Sequence, residues 1–285
     1  MLGVFDSGLG GLSVVRRLKE RLPHHEVLFF ADQAHVPYGD REPADLAALL
    51  QSNVRFLNEA GVSMIVMGCN TSCAIAQQFG WPQSSAPIVD LIESAALVAA
   101  RNRFKKVGVV ATSATVAAKA YSRSIVQHVS EAQVFEIAAP ALVPLVEDGK
   151  AGTEEAHKAV AAVCRQLPRD LDAVILACTH YPILDLHFAD ALGADVRLID
   201  PALEQAERAA HLAASNGVLQ GVAPTTYVTS GDVERFRTAV RMITGEFEPD
   251  VREAGDIPLA GRDTVSSIPQ PPLSQRESAA PYARE

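Results

Sequence analysis

Two short stretches constrain this chain more than any other feature. Met64-Ile65-Val66-Met67 runs into Gly68-Cys69-Asn70-Thr71, and Ala173-Val174-Ile175-Leu176 runs into Ala177-Cys178-Thr179-His180. Four apolar residues in a row read as a strand buried on both faces, which belongs to a parallel sheet covered by helices. Each strand ends on a small residue and then a cysteine. In an open α/β sheet that carboxyl edge is where ligands bind. Cys69 and Cys178 therefore read as equivalent thiols offered by two equivalent half-sites.

Strand and helix signals alternate along the rest of the chain, the pattern of βαβ units. Strands are predicted at Leu2–Phe5, Glu26–Ala31, Met64–Met67 and Pro87–Ile92, with helices between them and a helix Ser94–Asn102 leading out. The series then restarts at Lys106–Ala111, with one helix running to about Val129. It continues through Gln133–Ala138, the helix Glu154–Leu167, the second cysteine strand and Val196–Ile199. Asp6 precedes Cys69 by 63 positions, and Thr112 precedes Cys178 by 66. That near-match predicts two pseudo-symmetric, flavodoxin- or Rossmann-like parallel-sheet domains with a cleft between them. The expected division is 1–95 with 208–245 for the first domain and 96–207 for the second. The helix Leu203–Asn216 crosses back. From 246 to 285 the composition offers no periodic apolar face, and a mostly disordered tail is expected.

A chain of 285 residues, 48% hydrophobic with a mean hydropathy of +0.10, can bury cores of that size. Its net charge of −9, without a Lys/Arg-rich run, argues against nucleic acid as a partner. No apolar run approaches the about 20 residues of a membrane helix. Met1 meets the first strand almost at once, leaving no room for a signal peptide. Four cysteines do not make a disulfide framework. The expectation is a cytoplasmic protein that binds a small molecule.

Two like groups on opposite walls of a cleft suit one kind of chemistry: taking a proton from one face of a carbon and supplying one to the other. A thiol, with a pKa of about 8.5, can serve as base or acid after modest tuning. Cys69 enters a helix, whose partial positive charge is expected to favour its thiolate. Asn70, Thr71, Thr179 and His180 add donors beside the thiols.

Over residues 2–245 these motifs resemble the cofactor-independent glutamate racemases of the aspartate/glutamate racemase superfamily. The likeness rests on Phe5-Asp6-Ser7-Gly8-Leu9-Gly10-Gly11, Val36-Pro37-Tyr38-Gly39, Cys69-Asn70-Thr71, Ala114-Thr115-Val116, Val143-Pro144-Leu145-Val146-Glu147 and Cys178-Thr179-His180-Tyr181-Pro182, in that order. The resemblance implies that Cys69 and Cys178 are the catalytic acid/bases, acting on D- and L-glutamate respectively. Asp6 near the first thiol, and Glu147 with His180 near the second, are implied to assist proton transfer. Asp6, Ser7, Tyr38, Gly39, Asn70, Thr71, Thr115, Thr179 and His180 are implied substrate contacts. It further implies no cofactor, no metal, D-glutamate supply for peptidoglycan, and a homodimer. Ser72-Cys73 stands where such chains commonly have Ala-Ser, and Asp90 and Ser94 are further departures. If Asp90 lines the cleft, it would repel an anionic side chain, so another acidic amino acid such as aspartate stays open.

Other readings have weaker footing. Gly8-Leu9-Gly10-Gly11-Leu12-Ser13 imitates a dinucleotide loop, but Asp6 stands where a pyrophosphate would lie. Cys69, Cys73, Cys178 and His180 as zinc ligands would use an unusual Cys-x3-Cys spacing. A cysteine hydrolase built on Cys178 and His180 leaves Cys69 idle. None of the six lysines falls at the carboxyl end of a strand, where a pyridoxal phosphate enzyme would want one. A non-catalytic amino-acid-binding protein on the same fold also stays open.

Overall fold

The computed structural model describes residues 1–213 and 222–259. β1 (Leu2–Asp6), α1 (Gly11–Arg21), β2 (Val27–Ala31), α2 (Pro43–Glu59), β3 (Met64–Met67), α3 (Asn70–Phe79), β4 (Ile88–Asp90) and α4 (Leu91–Asn102) form the first run. The second run is β5 (Lys106–Ala111), α5 (Ser113–Ala118), α6 (Ala120–His128), β6 (Gln133–Ala138), α7 (Leu142–Glu147), α8 (Glu154–Cys164), β7 (Ala173–Ala177), α9 (Asp185–Leu192) and β8 (Arg197–Ile199). α10 (Pro201–Ala213) then returns to the first half, followed by β9 (Thr225–Thr229), α11 (Val233–Thr244) and β10 (Asp250–Glu253). Among the described residues no helix is long and apolar enough to cross a membrane.

Two sheets result, ordered β10-β9-β2-β1-β3-β4 and β6-β5-β7-β8. Every pairing is parallel. The segment β2-β1-β3-β4 has the same order as β6-β5-β7-β8, so the repeat read from spacing is a repeat of topology. β1, β3 and β7 are buried along their whole length. That explains their unbroken apolar runs, since helices cover both faces of each sheet.

Two expectations are corrected. The single helix to Val129 is broken at Lys119, whose φ of 53° ends α5 and starts α6. The segment from residue 246 is not disordered at its start. β10 pairs with β9, Val251 is buried, and Arg237 donates to the carbonyls of Pro249 and Val251. These anchors come from the neighbouring helix, so the local composition of the segment did not reveal them. Residues 260–285, and 214–216 of the expected crossing helix, lie outside the described residues.

The expected domain limits 95/96 and 207/208 fall inside α4 and α10, the two helices that link the halves. α10 is locked to the first sheet by Gln205, whose side chain is wholly buried. Its Nε2 donates to the carbonyls of Met67 and Val89, each at 2.8 Å, at the carboxyl ends of β3 and β4. Gln205→Leu leaves both carbonyls short of a donor. The expected cost is about 2 kcal/mol or more, read calorimetrically as a melting temperature lower by roughly 4–8 °C.

Candidate active site

Between the carboxyl edges of the two sheets lies a cavity of about 120 Å³. By the space a buried water needs, that is about ten water-sized positions, the scale of one small amino acid. The wall belonging to the first sheet consists of Ser7 and Gly8 after β1, Tyr38 and Gly39 after β2, and Cys69, Asn70 and Thr71 at the start of α3. The facing wall consists of Thr112 after β5, Pro140 and Val143 after β6, and Cys178, Thr179 and His180 after β7. In both sheets the cysteine strand and its central neighbour flank the point where strand order reverses, the usual ligand position of such sheets. Cys69 and Cys178 are 4% and 6% exposed, so both thiols sit in a nearly dry space.

On the second wall the polar groups form a chain. The Nδ1 of His180 lies 3.6 Å from the sulfur of Cys178, and its Nε2 lies 2.5 Å from Glu147. Burial opposes charge on the imidazole, but the bonds to Cys178 and Glu147, and their negative charges, outweigh it. His180 is held well above the ordinary imidazole value. Glu147 does not line the cavity; it stands behind His180, on α7.

The first wall is set differently. Asp6 is fully buried and accepts from the Gly8 N–H at 2.7 Å and from the Thr179 hydroxyl at 3.0 Å. Burial, set against those bonds and the charge of His180, pushes its carboxyl up to about 6. Burial, and next the Asp6 charge, push the Cys69 thiol up to about 11. The helix start does favour the thiolate, through the Ser72 N–H, but desolvation and a like charge outweigh it. At rest Cys69 is a thiol, donating to Ser7 Oγ at 3.6 Å.

Tyr38 is aimed by a buried network. Its hydroxyl donates to Asp32 at 2.5 Å and accepts from Asn53 at 2.9 Å. Asp32 also accepts from Ser230 and pairs with His35, each at 2.8 Å. Thr71, Thr112 and Thr115 form a hydroxyl triangle, with Thr112 at 3.0 Å from Thr71 and 2.9 Å from Thr115. Thr115 is fully buried and does not line the cavity, so its expected substrate contact is replaced by support of Thr71 and Thr112. Tyr121 donates to Asn70 Oδ1 at 2.5 Å, which leaves Asn70 Nδ2 buried with no partner. An unfilled donor in a cavity wall is a place for a ligand oxygen.

Asn53, Thr112 and Tyr121 are site residues that sequence reasoning missed, and Asp32, which in sequence ends a strand as the acid of a dinucleotide-like pattern, instead aims Tyr38. Thr112 was within reach, since it follows the first strand of its half as Asp6 ends the first strand of the other. Asp90 turns away from the cavity: it caps α4 by accepting from the Ile92 N–H at 2.8 Å and takes a bond from Gln77 at 2.7 Å. Its carboxylate is therefore not part of the wall between the two thiols. Among the described residues no group of three or more His, Cys, Asp or Glu is placed to hold a metal ion.

Gly10 marks where the halves press closest, because a Cβ there would stand 2.2 Å from Thr179 Oγ1 and 2.9 Å from His180 Nδ1. Gly10→Ala is expected to force these apart and cost about 1–3 kcal/mol, seen as a lower urea midpoint.

The sequence pattern described as Asp/Glu/Hydantoin racemase matches residues 11–209. The glutamate racemase of Gloeobacter violaceus is 39% identical over 266 residues, covering 93% of this chain and 99% of that protein. That of Desulforudis audaxviator is also 39% identical, covering 87% and 95%. Among solved structures, glutamate racemase from Thermus thermophilus in complex with β-chloro-D-alanine superposes with a TM-score of 0.78 at 35% identity, covering 88% of this chain and 95% of that one. The Francisella tularensis glutamate racemase in complex with D-glutamate gives 0.80 at 27%, covering 88% and 96%.

Proposed function

The chain belongs to the Asp/Glu/hydantoin racemase family, and on that premise we propose that it interconverts L- and D-glutamate with Cys69 and Cys178 as the two acid/bases. The observation that carries this reading is that one cavity takes a buried thiol from each of two topologically matched sheets. One thiolate removes the α-proton from one face of the substrate, and the opposed thiol delivers its proton to the other face. The first sulfur leaves protonated and the second ionised, so the reverse reaction is the same path run backwards.

The surroundings of the two sulfurs favour opposite charge states. His180, bonded to Glu147 and held in its charged form, faces the sulfur of Cys178, while burial and then Asp6 keep Cys69 as a thiol. That resting pair is poised to take the proton of L-glutamate at Cys178 and give one from Cys69, yielding D-glutamate. Asn70 Nδ2, with Ser7, Thr71 and Gly39 around it, offers donors to the substrate's carboxylates, and Tyr38 and Thr179, their hydroxyl protons given to Asp32 and Asp6, complete the contact surface. A carboxylate held close to donors also makes the α-proton easier to remove, because charge developing towards the carboxylate is stabilised. We assign Thr115 and Asp32 to holding the contact residues in place. The reaction uses no cofactor and takes place in the cytoplasm, and the product D-glutamate serves peptidoglycan synthesis.

Cys69→Ala and Cys178→Ala are each expected to lower racemisation by about 10³-fold or more, followed by circular dichroism with L-glutamate. In D₂O the wild-type protein should place deuterium at the α-carbon of glutamate, and much more slowly at that of aspartate. Full activity in either alanine variant, or no α-deuterium, refutes the two-base reading.

Asp6 supplies a pH test whose two signs differ. Its carboxyl is raised from about 3.9 in the unfolded chain to about 6 in the fold. Its contribution to stability is thus full below about 4 and lost as pH rises through 6. Only the carboxylate form can assist proton transfer at Cys69, so kcat/KM should rise over the same window. The acid limb centred near 6 should vanish in Asp6→Asn, measured as kcat/KM against pH.

A further inference from the structure

Cys69 is the residue that caps α3, and Ser72 is the third residue of that helix. An N-cap side chain normally accepts from a backbone N–H two or three residues on, and the third helical side chain can reach back to the cap. Here the cap bond is not made: the side chain of Cys69 accepts nothing from the helix. The hydroxyl of Ser72 is also unused, because Ser72 is 1% exposed, its Oγ has no partner, and it does not line the cavity. A buried hydroxyl left unpaired is a cost to the fold, and alanine would avoid it. Both vacancies share one explanation, which is that a thiol is a weak acceptor and a thiolate a strong one.

We propose that Ser72 is a positioning residue for the reaction, its hydroxyl and backbone N–H poised to bond the sulfur of Cys69 when that sulfur becomes a thiolate. The inference rests on the two-thiol reading above and adds a residue to it. Ionised Cys69 gains most, among its hydrogen bonds, from the Ser72 hydroxyl, then from the Ser72 N–H, then from the Ser7 hydroxyl. The other titratable groups facing it are Asp6 from β1, Tyr38 from the loop after β2, and Cys73 one turn along α3. Cys178 and His180 stand across the cavity. None of these is a neutral donor bound to the same helix turn. Asp6 helps keep Cys69 protonated, and Ser72 stops the conjugate base from being prohibitively unstable. The same hydroxyl waits unpaired in one half of the cycle and is satisfied in the other.

The test uses the full chain as wild type, Ser72→Ala and Ser72→Thr. Alkylation of Cys69 by iodoacetamide is followed against pH, with Cys69, Cys73 and Cys178 distinguished by mass spectrometry of the digest. Loss of a hydrogen bond to an ionised acceptor corresponds to about tenfold in the thiolate equilibrium. The Cys69 midpoint in S72A should therefore move up by about one pH unit, the melting temperature should not fall, and S72T should lie within about twofold of wild type. L- and D-glutamate are equal in free energy, so kcat/KM in S72A should drop by one shared factor in both directions. An unmoved midpoint in S72A overturns the proposal, as does an equal shift in S72T or an S72A protein that no longer melts cooperatively. The alkylation readout needs no substrate, so it is decided separately from the glutamate assays.

Discussion

The buried carboxylate of Asp6 ties the two halves to one another and to their chemistry. One oxygen is held by the Gly8 N–H of its own loop and the other by the Thr179 hydroxyl of the opposite sheet. The same carboxylate lies close enough to Cys69 to raise its thiol. A single charge therefore sets both the closure of the cavity and the proton affinity of one wall. The bonds of Thr71 to Thr112 and of Tyr121 to Asn70 cross the same gap and add closure without adding charge.

Topological symmetry and electrostatic asymmetry coexist in this fold. The strand order repeats, so each sheet brings a cysteine to an equivalent edge. The neighbours do not repeat. One sulfur has an imidazole backed by a carboxylate, and the other has a carboxylate directly, with hydroxyls to hand. Two identical half-sites would compete for the same charge state. The differing neighbours give the two sulfurs unlike electrostatic settings, an imidazole beside one and a carboxylate near the other.

Much of this was legible in the residues. Uninterrupted apolar runs such as Met64–Met67 and Ala173–Leu176 could only be strands covered on both faces, and the small residue plus cysteine after each located the edge. What escaped was set by contacts remote in sequence. β10 is fixed by Arg237 and by pairing with β9, neither visible in its own composition. The position of Thr115 behind Thr112, and of Asp90 at a helix cap, depends on side-chain direction rather than spacing. The helix start beside Cys69 is a local feature that sequence shows, while the desolvation and Asp6 charge that outweigh it belong to the assembled cavity.

The near-complete burial of both sulfurs has a mechanical corollary. With 4% and 6% of their surfaces accessible, Cys69 and Cys178 meet solutes only through the narrow space between the walls. α4 and α10 are the spans joining the halves, and Gln205 fastens the second of them directly to the strand that bears Cys69. A parting of the walls would strain these spans, so the gap around the two sulfurs is tied to the stiffness of the helices that join the halves.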